Sequence, residues 1–330
     1  FNMPNFEEHN GFQLQIGDRN PHEAMMLNLW TNASKTLSRG SISGVGCPSS
    51  IEEEEAGIAS QDPAKSSAHF TQTRSQVRDG LRAIVEHSID KFGIPMEKGL
   101  DVGCGASAEM VSELMKNKIT DLSQWIQIDV NRNTVREARR SSGHRTDVRM
   151  ASYLHLDRDL PDMKFDTVSG LSSLDATCFI ETAVEQIRQA LNDGGFLFHV
   201  QDVRPGMVHV YQELAREGVA QGVDGYKALI DGRLAGPSGT LQTGCQSVFF
   251  VQTPEGWVSV SEMFRRNLGR ALADNGGFEI LFNDWITARK RVQAGAKMAR
   301  LYHMNALVGV DPRYIGNDAI SAAVTVARKK

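Results

Sequence analysis

The string Leu100-Asp101-Val102-Gly103-Cys104-Gly105-Ala106-Ser107 holds the residues whose types and spacing point most directly to chemistry. It sits where a short apolar run, LDVG, gives way to a helical pattern. Glycines at such a junction let the backbone turn tightly and approach a ligand where a Cβ would clash. The helix start beyond them is expected to offer unpaired amides. About 26 residues after Gly103 the next apolar run ends in Asp129, a carboxylate placed to bind a ribose diol. Gly103-x-Gly105-x-x-Ala108 also satisfies the dinucleotide fingerprint, which makes a nicotinamide cofactor a competing reading. Asp101 stands against it, because a carboxylate there faces a pyrophosphate unfavourably but suits a cationic amino group.

The elements around this string alternate. Helical periodicity runs through residues 73–92 until Gly93 and Pro95 stop it, and again through 107–118, 133–142 and 181–192. Strands are expected at 100–103, 125–130, 147–152, 165–170 and 196–201. Such alternation with short loops implies right-handed βαβ units and a parallel sheet with helices on both faces. After Asp202 the rhythm breaks. Helices at 208–221 and 224–233, a hairpin SVFFVQ-TPEG-WVSV, a helix at 261–277, a strand at 278–282 and a terminal strand at 320–330 are expected there.

These motifs, in this order, resemble the class I S-adenosylmethionine (SAM)-dependent methyltransferases. LDVGCGAS is similar to that family's first motif, IDVN (128–131) to its second, and KFDTVSG, NDGGFLFHV and VTVARKK to its fourth, fifth and last strands. The resemblance spans roughly residues 70–202 and 261–330. It implies an α/β fold: a Rossmann-like seven-stranded sheet, mostly parallel with an antiparallel last strand, flanked by helices. The corresponding division is an N-terminal cap (1–65), a SAM-binding core (66–202), a lid insertion (203–260) and the end of the core (261–330), with a further insertion at 283–318.

The resemblance also assigns residues. Asp101, Gly103, Cys104 and Gly105 would hold the aminoacyl and ribose portions of SAM, with Asp129 on the ribose and Val130 and Leu171 beside the cofactor. Arg74 would reach the SAM carboxylate from the preceding helix. Two departures stand out: Ser107 replaces the third glycine, and Met150-Ala151-Ser152-Tyr153 lacks the acid that many members use for the adenine amino group. Adenine would then be held by Ser152 and backbone amides, with Tyr153 or Leu154 packing on it. Candidates for a general base are Asp175, His199, Asp202 and His303. His199 has an alternative role as a hydrogen-bonded core residue, and Asp175 as a helix cap.

Composition limits the partners. The chain has 330 residues and a net charge of −4, so no global basic field draws it to nucleic acid or anionic lipid. The arginines at 132, 136, 139, 140, 145 and 149 read as a solvated face, and the acids Glu52–Glu55 as a loop or helix start. GLSSLD replaces the Asn-Pro-Pro-aromatic tetrapeptide that base- and amide-directed N-methyltransferases often carry. The expected acceptor is therefore a small molecule held under a lid, with S-adenosylhomocysteine as the second product. The rivals are a methyltransferase of RNA or protein, an NAD-dependent oxidoreductase, and a SAM-binding scaffold without catalysis. No membrane span or secretory signal is expected. Four dispersed cysteines read as free thiols of a cytoplasmic protein without a bound metal. An N-terminal segment that capped a neighbour's site would make the protein a homodimer.

Overall fold

The computed structural model describes residues 5–17, 48–60, 75–143, 145–174, 177–202, 250–253, 256–290 and 319–330. Five strands form the expected parallel unit: β3 (Gly99–Val102), β4 (Trp125–Asp129), β5 (Asp147–Met150), β6 (Phe165–Leu171) and β7 (Leu191–Asp202). β3 pairs in parallel with both β4 and β6, β4 with β5, and β6 with β7. The last strand, β11 (Ala319–Lys329), lies antiparallel between β7 and β10 (Phe278–Lys290). That is the antiparallel last strand the sequence implied.

Among the described residues the sheet has nine strands rather than seven, in the order β1-β2-β10-β11-β7-β6-β3-β4-β5. The extra pair is a hairpin, β1 (Asn5–His9) and β2 (Phe12–Ile16), from the segment read as a cap. Its loop is Asn10-Gly11, both at positive φ, 47° and 78°. Asn-Gly supplies the twist a two-residue hairpin requires, and alternation then turns Phe12 and Leu14 into the core. β2 pairs with the far end of β10, from Ile286 to Lys290, so residues 283–290 belong to a long strand and not to an insertion. The rest of that expected insertion, 291–318, lies outside the described residues, as do the helices expected at 208–221 and 224–233.

Helices cover both faces. On one, α2 (Ser75–Phe92) packs Leu81, Ile84, Val85 and Ile89 against Phe198, Val200, Val324 and Val326. On the other, α5 (Ile180–Ala190) and α6 (Val260–Asn275) bury Val184, Ile187, Leu268 and Leu272 with Leu100, Val168 and Leu197. Two shorter helices, α3 (Arg132–Ser141) and α4 (Leu156–Asp159), follow β4 and β5. The N-terminal helix α1 (Ile51–Ala59) starts at Ser50, whose hydroxyl accepts from the Glu53 N–H. The hairpin expected before α6 is present as β8 (Phe250–Thr253) and β9 (Gly256–Ser259).

The helix expected over 107–118 is reduced to one π turn, Met110–Leu114. Ala108 takes a left-handed φ of 50°, which delays helical geometry, and Met115 then donates to the carbonyl of Met110, 2.9 Å away. Among the described residues, no helix is long and apolar enough to cross a membrane. Cys178 is disulfide-bonded while Cys104 is a free, buried thiol, so the expectation of four free thiols does not hold. The inference from it to a reducing compartment loses its premise.

Candidate functional site

Parallel strands deliver all their carboxyl ends to one edge, and β3 is where the chain's order reverses, with β4 on one side and β6 on the other. Crevices form at such switch points because the loops on either side diverge. The glycine loop opens there. Gly103 and Gly105 hold φ of 64° and 63°. The loop folds back onto β4: the Cys104 N–H donates to the Ile128 carbonyl (2.9 Å), and the Gly105 N–H to Asp129 Oδ2 (3.3 Å). Asp129 Oδ1 accepts from the Asn131 N–H at 2.9 Å. Burial raises the Asp129 pKa, and the two N–H donors oppose that rise. A carboxylate has about four acceptor positions, so Asp129 retains capacity for hydroxyl donors.

The two glycines serve different ends. A Cβ at Gly105 would meet nothing within 4 Å, so open space lies over that residue. A Cβ at Gly103 would stand 2.6 Å from the Ser173 Cβ. Gly103 is therefore required by the loop after β6, and the space it leaves is filled by protein rather than by a ligand. Because the π turn replaces a regular helix, the donors offered here are loop amides and not a helix N-terminus. Cys104 turns its side chain into a cluster with Ala108, Val135, Ala138 and Val148, and burial pushes its thiol pKa up. It contributes backbone to the loop.

Asp101 lies beneath the loop and is fully buried. Its oxygens accept from Ser169 Oγ (3.0 Å) and Gln127 Nε2 (3.3 Å), its neighbours on β6 and β4. The Thr146 hydroxyl in turn donates to Gln127 Oε1 at 2.7 Å. Burial raises the Asp101 pKa to about 7 in spite of both donors. This acid braces three strands under the site, and its carboxylate does not reach the crevice surface.

The remaining residues divide. After β5, the Ser152 N–H donates to Asp159 Oδ2 (2.9 Å) and its hydroxyl accepts from the Leu154 N–H (3.1 Å). Tyr153 is buried, and its hydroxyl donates to the Ser173 carbonyl at 3.4 Å. Val130 and Leu171, both half-buried, flank the crevice at the ends of β4 and β6. His199 does not join them as a base: it is buried inside β7, and its Nε2 accepts from the Leu174 N–H at 3.3 Å. Burial lowers its pKa to about 3, so it is a neutral core histidine that holds the post-β6 loop. Arg74, Asp175 and His303 lie outside the described residues, as does the side chain of Asp202. Most of the arginines around α3 engage local partners: Arg140 pairs with Glu137 (2.8 Å), Arg149 with Asp147 (2.6 Å), and Arg139 Nε donates to the Val148 carbonyl.

Sequence reasoning missed three residues at this edge. Ser173 Oγ is buried without a hydrogen-bond partner. Asn131 caps α3 through Oδ1, which accepts from the N–H groups of Asn133 and Thr134, and its Nδ2 donates to the carbonyls of Ile58 and Ala59. Glu54 accepts the Cys178 N–H at 2.9 Å. Only the Asn131 cap had a local signal, a helix-opening Asn; the other contacts cross 72 or more residues of chain.

Residues 100–199 match the family model described as a methyltransferase domain. Among solved structures, the chain is similar to magnesium protoporphyrin IX methyltransferase (ChlM) from Synechocystis with bound SAM. Identity there is 10%, coverage 86% of this chain and 100% of that one, and the TM-score 0.44. It is also similar to the N-methyltransferase NodS from Bradyrhizobium japonicum in complex with S-adenosylhomocysteine (11% identity, 84% and 96% coverage, TM-score 0.40). A third is the YcgJ protein from Bacillus subtilis (14%, 74% and 97%, 0.39). No curated protein sequence matches the chain.

Proposed function

We propose that this chain, whose residues 100–199 match the model of a methyltransferase domain, moves a methyl group from SAM to a small-molecule acceptor. The observation that carries the reading is the latch between Asp129 and Gly105: a carboxylate with acceptor capacity left, at the end of β4, beside open space. SAM supplies a methyl group already activated by its sulfonium. What the protein must add is orientation, which is worth ~7–11 kcal/mol in favourable cases.

In this reading Asp129 accepts the ribose hydroxyls, and the amides and carbonyls of residues 103–105 line the aminoacyl portion. Val130, Ser152, Tyr153 and Leu171 bound the cofactor from the flanking loops. Asp101 acts one layer down, holding β3, β4 and β6 so that the loop keeps its shape. Arg74 remains proposed for the SAM carboxylate, and Asp175 and His303 for the acceptor. The small-molecule acceptor is supported by α1, which is bonded to the loops after β4 and β6 and so narrows the approach to this edge.

Calorimetric titration of the whole chain with SAM, S-adenosylhomocysteine and NAD in parallel tests the reading. Micromolar binding of the first two and none of NAD is expected. Binding of NAD alone would replace the reading with an oxidoreductase.

A further inference from the structure

We infer that Ser173 is a positioning residue for the cofactor: its Cβ is a stop that holds the glycine loop against Asp129, and it acts through that loop. The inference deepens the cofactor reading above and rests on it. Gly103 follows β3 and Gly170 lies in β6, the neighbouring strand, and between them they leave room for this one side chain. A Cβ on Gly103 would stand 2.6 Å from the Ser173 Cβ, and a Cβ on Gly170 would overlap the Ser173 Oγ. The hydroxyl itself has no hydrogen-bond partner. What Ser173 gives the glycine loop is therefore a carbon in contact, not a hydrogen bond.

A stop works only if it is itself fixed, and the loop after β6 is tied down at three consecutive residues. The Ser172 N–H donates to the Val200 carbonyl at 2.8 Å, and the Leu174 N–H to His199 Nε2 at 3.3 Å. Between them the Ser173 carbonyl accepts from the Tyr153 hydroxyl at 3.4 Å. Ser172 meanwhile holds a left-handed φ of 49°. A non-glycine residue keeps such a backbone only where its surroundings over-determine it, and such places gather at ligand clamps.

The opposite side of the glycine loop has little slack. The strand order sets β3 between β6 and β4, so Ser173 meets the loop from one side and Asp129 from the other. On the β4 side the Cys104 N–H reaches the Ile128 carbonyl at 2.9 Å, and the Gly105 N–H reaches Asp129 Oδ2 at 3.3 Å. The second bond is already at the long end of the N–H···O range, and a shift of a few tenths of an ångström toward β6 would lose it. Asp129 would then keep only the Asn131 N–H, and Oδ2 would be free to turn away from the ribose. The Ser173 Cβ prevents that shift.

The test is calorimetric titration with S-adenosylhomocysteine, beside denaturant unfolding, of the wild type, Ser173→Ala, Ser173→Gly, Gly103→Ala and the double variant Gly103→Ala/Ser173→Gly. Alanine keeps the stop and drops only the hydroxyl, so its affinity should stay within about twofold of the wild type. Glycine removes the stop and should weaken binding by roughly five- to tenfold. Gly103→Ala crowds a second Cβ into the notch and should weaken binding by about tenfold or more. In the double variant the notch again holds one Cβ, and most of that loss should be recovered. A contact that only stabilised the fold would shift unfolding midpoints and leave affinity at the wild-type value. Wild-type affinity in Ser173→Gly overturns the inference, as do equal losses in the alanine and glycine variants or no recovery in the double variant. If Gly103→Ala does not fold, the two variants at position 173 decide alone. If the wild type does not bind S-adenosylhomocysteine, the cofactor reading itself falls, and this inference with it. If it binds and the variants at 173 do not differ, only this inference falls.

Discussion

One continuous sheet carries two halves that bury different kinds of polar group. In the antiparallel half, interior hydroxyls are matched in pairs: Thr287 with Ser321 (2.8 Å) and Thr325 with Asn283 Oδ1 (3.1 Å). Trp285, Ile286, Ala322 and Val324 fill the space around them. In the parallel half, Asp101 and His199 are buried with strongly shifted pKa values, and Ser173 Oγ has no partner. Parallel strands send every carboxyl end to one edge, so polar loops accumulate there, whereas antiparallel neighbours alternate their ends. The parallel half gives up stability to hold a site, and the antiparallel half, with its added hairpin, clamps it.

If that division holds, the largest effect belongs to Gly103→Val. The residue needs a left-handed φ, and its Cβ would meet Ser173 at 2.6 Å. Strain at φ and overpacking together should cost about 3–5 kcal/mol, read as a lowered unfolding midpoint with loss of S-adenosylhomocysteine binding. Gly105→Ala has open space, so it should cost only about 1–2 kcal/mol for the left-handed φ. Equal costs at the two glycines would break the account of the loop. Asp129→Ala comes next. It removes charge-assisted acceptors and should weaken S-adenosylhomocysteine about 10- to 100-fold by calorimetry; unchanged affinity would remove Asp129 from the site.

The buried acid and the buried histidine allow a sharper test of the parallel half. Asp101 ionises near 3.8 when unfolded and near 7 when folded. Between those values the unfolded chain has released a proton that the folded chain keeps. The stability contributed by Asp101 is therefore full below pH 3.8 and is lost as the pH rises toward 7. Asp129, also raised by burial, acts in the same sense. His199 behaves oppositely: its pKa falls from 6.5 to about 3 on folding, so its contribution is full above pH 6.5 and is lost as the pH falls toward 3. Each slope is about 1.4 kcal/mol per pH unit, and they overlap between roughly pH 4 and 6.5. Denaturant titrations should find Asp101→Asn gaining stability as pH rises through that window and His199→Gln losing it. Slopes of one sign in both variants would show that the two groups do not offset each other.

How much of this was legible depended on contact range. The alternation from LDVG to FLFHVQ gave the parallel strands and their order, because each apolar run and each amphipathic helix is a local pattern. Asp129 was legible because it ends a strand. The hairpin at the sheet edge had its own local signal, Asn10-Gly11 before the alternating FQLQI, and the reading of residues 1–65 as a cap passed over it. β10 outran its expected end because FNDWITARK is polar for a strand; partners on both sides, β11 and β2, override that composition. The placement of Glu54, Ser173 and His199 depended on tertiary contacts that no window of sequence contains. Ala108 at positive φ likewise follows from the loop's closure and not from any propensity of alanine.

The smallest expected effect marks the outer limit of the clamp. Glu279 and Arg328 pair at 2.6 Å across β10 and β11, with both side chains about half exposed. Solvent and salt screen such a pair, and ordering two long side chains offsets most of its attraction. Glu279→Gln should therefore move stability by less than about 0.5 kcal/mol and leave S-adenosylhomocysteine affinity at the wild-type value. Ser321→Ala, which strips the buried Thr287 hydroxyl of its partner in the same half, should cost about 1–3 kcal/mol and also leave affinity alone. A change in binding from either substitution would show that the antiparallel half tunes the site as well as holding it. A stability loss confined to Ser321→Ala would place the clamp's strength in its buried pairs.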